Sequence, residues 1–289
     1  MSDPSASLEA NVNVADPDSR SLVKVVQAAI LISLLWKTFC FIQISAAHVA
    51  FPLEDPFFPW PLQRLETARA AWILASASAA IVLFAKTQKN ILRLTALNLV
   101  ALAILSIHQM SFNDVTFSCC AWSSTWCLWM ASRLHEPFES LFERSAWLTH
   151  LILSLIFIGG AVGKLTPGYW DGTVLYEIYF RERNFWTYNL VRSMCPEESL
   201  PIIAMWHSRV VVCAEWFCGF LWLMPRKFAS IAAIVMLCGI ALTNNFYLFS
   251  VVTCLIGLAL VGLHQKKKPS EAGRAAVFES EADNSSNEA

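Results

Sequence analysis

Charge is what this chain has least of. Only 15% of its 289 residues are Asp, Glu, Lys or Arg, against about 25% in soluble domains. The signs nearly cancel, 21 basic against 22 acidic, so the basic footprint of a nucleic-acid-binding protein is absent. Glycine is scarce, with 10 residues. None of them builds a P-loop, a G-x-G-x-x-G or a G-x-S-x-G, and there is no H-E-x-x-H. The nine cysteines form no C-x-x-C and no Cys/His spacing that suits zinc, so they read as small apolar packers with no metal role. A cleaved signal peptide is not expected either. No basic residue precedes Arg20, and Lys37 would interrupt the apolar region of one.

What is present is hydrocarbon. Hydrophobic residues make up 56%, with 19 Phe and 12 Trp. Apolar runs near the ~20 residues that span a bilayer recur along the chain. A soluble core of this size could not hide them all, so the expected class is all-α, a polytopic transmembrane helical bundle. Eight spans are read at Leu22–Ala47, Ala70–Ala85, Leu92–His108, Val115–Ser132, Ala146–Gly163, Ile202–Met224, Phe228–Leu242 and Phe246–Leu263. The second and seventh are short and the fourth is polar, which leaves six or seven as alternatives. Basic residues favour eight. Lys86, Lys89 and Arg93, then Arg133 and Arg144, then Arg226 and Lys227, fall in alternate loops. With Arg20, Lys24 and the run Lys266 to Lys268, they put both termini in the cytoplasm. Residues 1–21 and 266–289 read as disordered cytoplasmic tails flanking a membrane domain over 22–265.

Polar side chains inside such spans are costly and mark sites or helix contacts. Lys37 lies in the first span, Asn98 in the third, and His207, Arg209 and Glu215 in the sixth. His207 and Glu215 are about 80° apart around a helix and roughly 12 Å along it, so both can face one cavity. By depth, Lys37 and Glu215 are expected to neutralise each other. Lys164, Asn113, Asp114, His207, Asn244 and Asn245 are expected at one outer level.

Lys164 ends an apolar run and opens a turn rich in Gly, Pro and Trp: Gly160-Ala-Val-Gly-Lys-Leu-Thr-Pro-Gly-Tyr-Trp-Asp-Gly172. A lysine there can snorkel to water, or serve as a base where burial disfavours its charged form. The string resembles the Gly/Lys-Leu…Trp…Gly motif of vitamin K-dependent gamma-carboxylases and of their bacterial relatives, the HTTM (horizontally transferred transmembrane) proteins. Leu242-Thr-Asn-Asn-Phe-Tyr-Leu-Phe-Ser250 is similar to that family's Asn-containing segment before a late helix, and Met110-Ser-Phe-Asn-Asp-Val-Thr-Phe117 is a weaker match. Asp114 stands where the carboxylases have histidine. The resemblance spans roughly residues 20–265 and stops short of the carboxylases' large extramembrane domain.

The resemblance implies that Lys164 is a base acting on a vitamin K-like quinol at the extracytoplasmic face. Asp114 and His207 would share the catalytic site, and Asn113, Trp170, Asn244, Asn245 and Glu215 would bind substrate. It also implies a multi-pass protein of a bacterial cytoplasmic membrane, with lipid or quinone partners. It does not fix the reaction. A DoxX-like redox accessory subunit and a non-catalytic scaffold or transporter are the alternatives.

Overall fold

A computed structural model describes residues 17–51, 55–112, 114–182, 184–244 and 246–264. Asn113, Asn245 and both expected tails, except residues 17–21, lie outside the described residues. Those five residues already form helix. Pro17 opens it, and Asp18 in the first turn complements the helix dipole.

The described residues contain helices and no strand. Nine helices of nine residues or more are named here in chain order. They are α1 (Pro17–Ala50), α2 (Leu65–Phe84), α3 (Gln88–Ile107), α4 (Val115–Ser132), α5 (Phe138–Gly163), α6 (Trp186–Met194), α7 (Leu200–Cys218), α8 (Arg226–Thr243) and α9 (Phe249–Val261). Each of the eight apolar runs has its helix, but α1, α2, α3, α5 and α8 are the five long and apolar enough to cross a membrane on their own. α4 carries Thr and Ser, and α9 has 13 residues.

α9 is central. It packs against α1, α4, α5 and α8, and the crossing with α1 is so close that a Cβ on Gly257 would overlap that of Ala29. Close approach through small residues also joins α2 to its neighbours, through buried Ala68, Ala71, Ala75, Ser78 and Ala79. Polar side chains knot the helices together. The Asn98 side chain donates to the Ala75 carbonyl at 2.8 Å and accepts from Ser124 at 2.9 Å. Asn98 is thus a structural hydrogen-bonding residue, fully satisfied between α2, α3 and α4.

α5 and α7 run antiparallel. Glu215 lies beside Gly160, Gly219 beside Ile158, and the Trp222 N–H donates to Ser154 at 3.3 Å. α5 stops at Lys164, but α7 continues past it. Residues 165–199 fold against this projecting part as a cap. Ser208 donates to the Tyr169 carbonyl, and Gly172, at φ 85°, sits on the backbone of Ala204 and Met205. The cap has its own small core of Leu175, Phe180, Phe185, Tyr188, Leu200 and Ala204.

Candidate functional site

The turn after α5 puts Lys164 against Glu215. Lys164 is the C-cap of α5, and its backbone N–H bonds to the carbonyls of Ala161 and Val162. Its side chain crosses to α7, where Nζ donates to both carboxylate oxygens of Glu215 at 2.6 and 2.7 Å. Gly160 faces the carboxylate, where a Cβ would stand 3.4 Å from it, in ordinary van der Waals contact. The Glu215 side chain is 7% exposed and that of Lys164 27%, so the pair is largely desolvated and each member depends on the other.

This corrects the expected pairing of Lys37 with Glu215. Lys37 instead bonds Asp114 at 2.8 Å. Asp114 also caps α4 by accepting from the Thr116 N–H at 2.9 Å, a role short acidic side chains fill well. Counting residues gives depth along a helix but not which neighbour shares a face, so it could not identify the partner of Lys37.

Beside the Lys164–Glu215 pair opens a cavity of about 720 Å³, bounded by α5, α7, α8, α9 and the cap. Its floor is aliphatic and aromatic: Ile156, Phe157, Met236, Leu237, Val252 and Leu255. Its other end is polar, with Lys164, Glu215, Tyr169, Tyr179, Tyr188, His207 and Asn244. The roof is a connected set. Tyr179 donates to the Asn244 side chain, the Tyr188 hydroxyl meets His207 Nε2 at 3.3 Å, and the Tyr179 and Tyr188 rings stack with centroids 4.8 Å apart. Burial pushes the phenols of Tyr169, Tyr179 and Tyr188 up, so each stands as an O–H donor. A π-helical turn over Tyr176–Arg181 carries Tyr179, an irregularity often found where a side chain must be re-aimed at a site.

The cavity is open on one flank. Val210 of α7 and Val235 of α8 both line it, yet are 63% and 66% exposed. Gly239 lies on the same side with no atom within 4 Å of its missing Cβ.

Of the expected site residues, Lys164, His207, Glu215 and Asn244 come together at this cavity. Asp114 does not line it, although its neighbour Val115 does. Trp170 lies outside it on the cap, its ring facing Arg209. The roof tyrosines were not anticipated. A signal existed: four of the five tyrosines fall between residues 169 and 188, in a segment joining two apolar runs. No set of three His, Cys, Asp or Glu that could hold a metal ion occurs among the described residues. Comparison with protein-family models, with curated proteins and with solved structures finds no match.

Proposed function

We propose that the chain is a multi-pass membrane protein that takes a lipid-soluble amphiphile into this cavity and moves a proton at its head with the Lys164–Glu215 pair. The observation that carries the reading is the cavity's polarity. One end offers hydroxyl, amide, imidazole and charged groups, the other offers hydrocarbon, and the open flank between α7 and α8 faces the side where lipid would lie. The alternating Lys/Arg loops support eight spans with both termini cytoplasmic and the cap outside.

A quinol of the kind implied by the sequence resemblance fits these residues. Its ring would lie among Tyr179, Tyr188 and Asn244, and its tail along Phe157, Val252 and Leu255. When bound, such a quinol supplies an ionisable hydroxyl and redox chemistry. The chain's own part is proton handling. With Lys164 as ammonium, the acceptor is a Glu215 oxygen. With that proton moved across the 2.6 Å contact, the acceptor is Lys164 Nζ. Tyr188 and His207 are placed to orient the head, and the cap excludes water.

Oxidation of a naphthoquinol to the quinone by added dissolved oxygen, which takes up the two electrons and two protons, tests this in proteoliposomes. Wild type should accelerate it and Glu215→Gln should abolish the effect. Lys164→Arg keeps a cation but cannot become a neutral base. Loss in that variant assigns the proton to Lys164, and retention assigns it to Glu215. If wild type binds the quinol without accelerating its oxidation, the protein is a carrier or scaffold and the pair is an anchor.

A further inference from the structure

Arg209 is a cation with no carboxylate partner among the described residues. Lys37, Lys164 and Arg226 each have one, but no carboxylate among the described residues lies within 4.0 Å of Arg209. Its guanidinium lies over two indoles, 5.4 Å from the ring centre of Trp170 and 5.3 Å from that of Trp206. Its Nε donates to the Trp170 carbonyl at 3.3 Å. Trp206 and Trp170 are themselves 57% and 43% exposed, so this cluster stands at the surface.

The depth of this group follows from helix register. Arg209 lies six residues toward the α7 N-terminus from Glu215, about 9 Å along the axis. Glu215 packs beside the last turn of α5. α5 has 26 residues, a length of about 39 Å against a hydrocarbon core of roughly 30 Å. Arg209 therefore falls at headgroup level when α5 crosses a bilayer, where Trp is at home and Arg meets phosphate. Below it, Val210, Cys213 and Phe217 form an exposed apolar stripe running into the hydrocarbon.

We infer that Arg209, with Trp170 and Trp206, binds the phosphate of an anionic phospholipid, whose acyl chain lies along Cys213 and Phe217, neither of which lines the cavity. The planar guanidinium matches phosphate oxygens in a way an ammonium does not. With no carboxylate of the described residues within 4.0 Å of it, the site leaves the cation for the lipid to neutralise. An anionic headgroup is preferred because a zwitterionic one would bring its own ammonium toward Arg209. A soluble phosphate lacks the chain that the stripe accommodates. The inference rests on the membrane placement proposed above, and not on what the cavity binds.

Native mass spectrometry of the full chain, equilibrated with equal amounts of phosphatidylglycerol and phosphatidylcholine, tests it. Wild type should retain phosphatidylglycerol by about fivefold, the size expected for one basic residue at an anionic surface. Arg209→Gln should bring the two lipids to parity, and Arg209→Lys should fall between. Should Arg209→Gln fail to fold, Trp206→Ala gives the same reading by removing one of the two indoles that contact the guanidinium. Filling the cavity with Gly239→Trp should leave the preference intact, which separates this site from the cavity. Unchanged preference in both Arg209→Gln and Trp206→Ala overturns the inference. So does loss of preference in Gly239→Trp, or displacement of the lipid by millimolar inorganic phosphate.

Discussion

Lys164 and Glu215 are joined across two helices in a site too dry for either to stand alone. Lys164→Met should destabilise the protein by about 3 kcal/mol, because it leaves Glu215, whose side chain is 7% exposed, without its counter-charge. Adding Glu215→Gln should recover part of the loss in a detergent melt. If the double variant is no better than the single one, the pair is not coupled. The second ion pair separates two roles of one residue. Asp114→Asn keeps a capping side chain for the Thr116 N–H and leaves Lys37 without its counter-charge. Asp114→Ala also removes the cap, and should cost about 1 kcal/mol more in the same melt. Equal losses would mean that the cap contributes nothing. At this scale the sequence shows which residues are anomalous, since a lysine or glutamate in hydrocarbon stands out. It does not show their partners. Lys37 and Glu215 stand at comparable counted depths but on faces that look at different neighbours.

At the scale of elements, every apolar run became a helix, because length, hydropathy and flanking Pro or polar residues fix that without tertiary information. α9 is the instructive case. It is short, yet it lies at the centre of the bundle, where Val252, Leu255 and Leu258 are buried. The cap was not legible in the same way. Residues 165–199 mix aromatic, basic and acidic side chains with no long period, and their fold is set by docking onto α7. Gly172 makes that docking possible. It combines φ 85° with contact so close that a Cβ would overlap the Met205 backbone. Gly172→Ala should release the cap while sparing the bundle. Limited proteolysis between residues 165 and 199 should then quicken several-fold, with the helical circular dichroism nearly unchanged. Unchanged proteolysis would show that the cap holds without this contact.

For the whole molecule, the bundle supplies a rigid frame of α1 to α4 with α9. The cavity and the Lys164–Glu215 pair lie where α5, α7, α8 and α9 meet beneath the cap. Composition anticipated an apolar helical protein, and the anomalous Lys164 lies at the wall of the cavity. The cavity itself arises from how far α5 and α7 overrun each other, which no local pattern encodes. Reporter fusions after Lys89 and after Lys268 should both read cytoplasmic, and one after Trp170 should not. An inward reading at Trp170 would put the cap on the wrong side for the proposed topology.

The most direct test of the central proposal is mass spectrometry of the organic extract of the purified protein. The wild-type chain should carry a lipid-soluble amphiphile at near one equivalent. Gly239→Trp, which projects a large ring from a position with no atom within 4 Å of its Cβ, should fold normally and lose it. A wild-type extract with no amphiphile above the detergent background, or one that Gly239→Trp leaves unchanged, would contradict a ligand-binding role for this cavity.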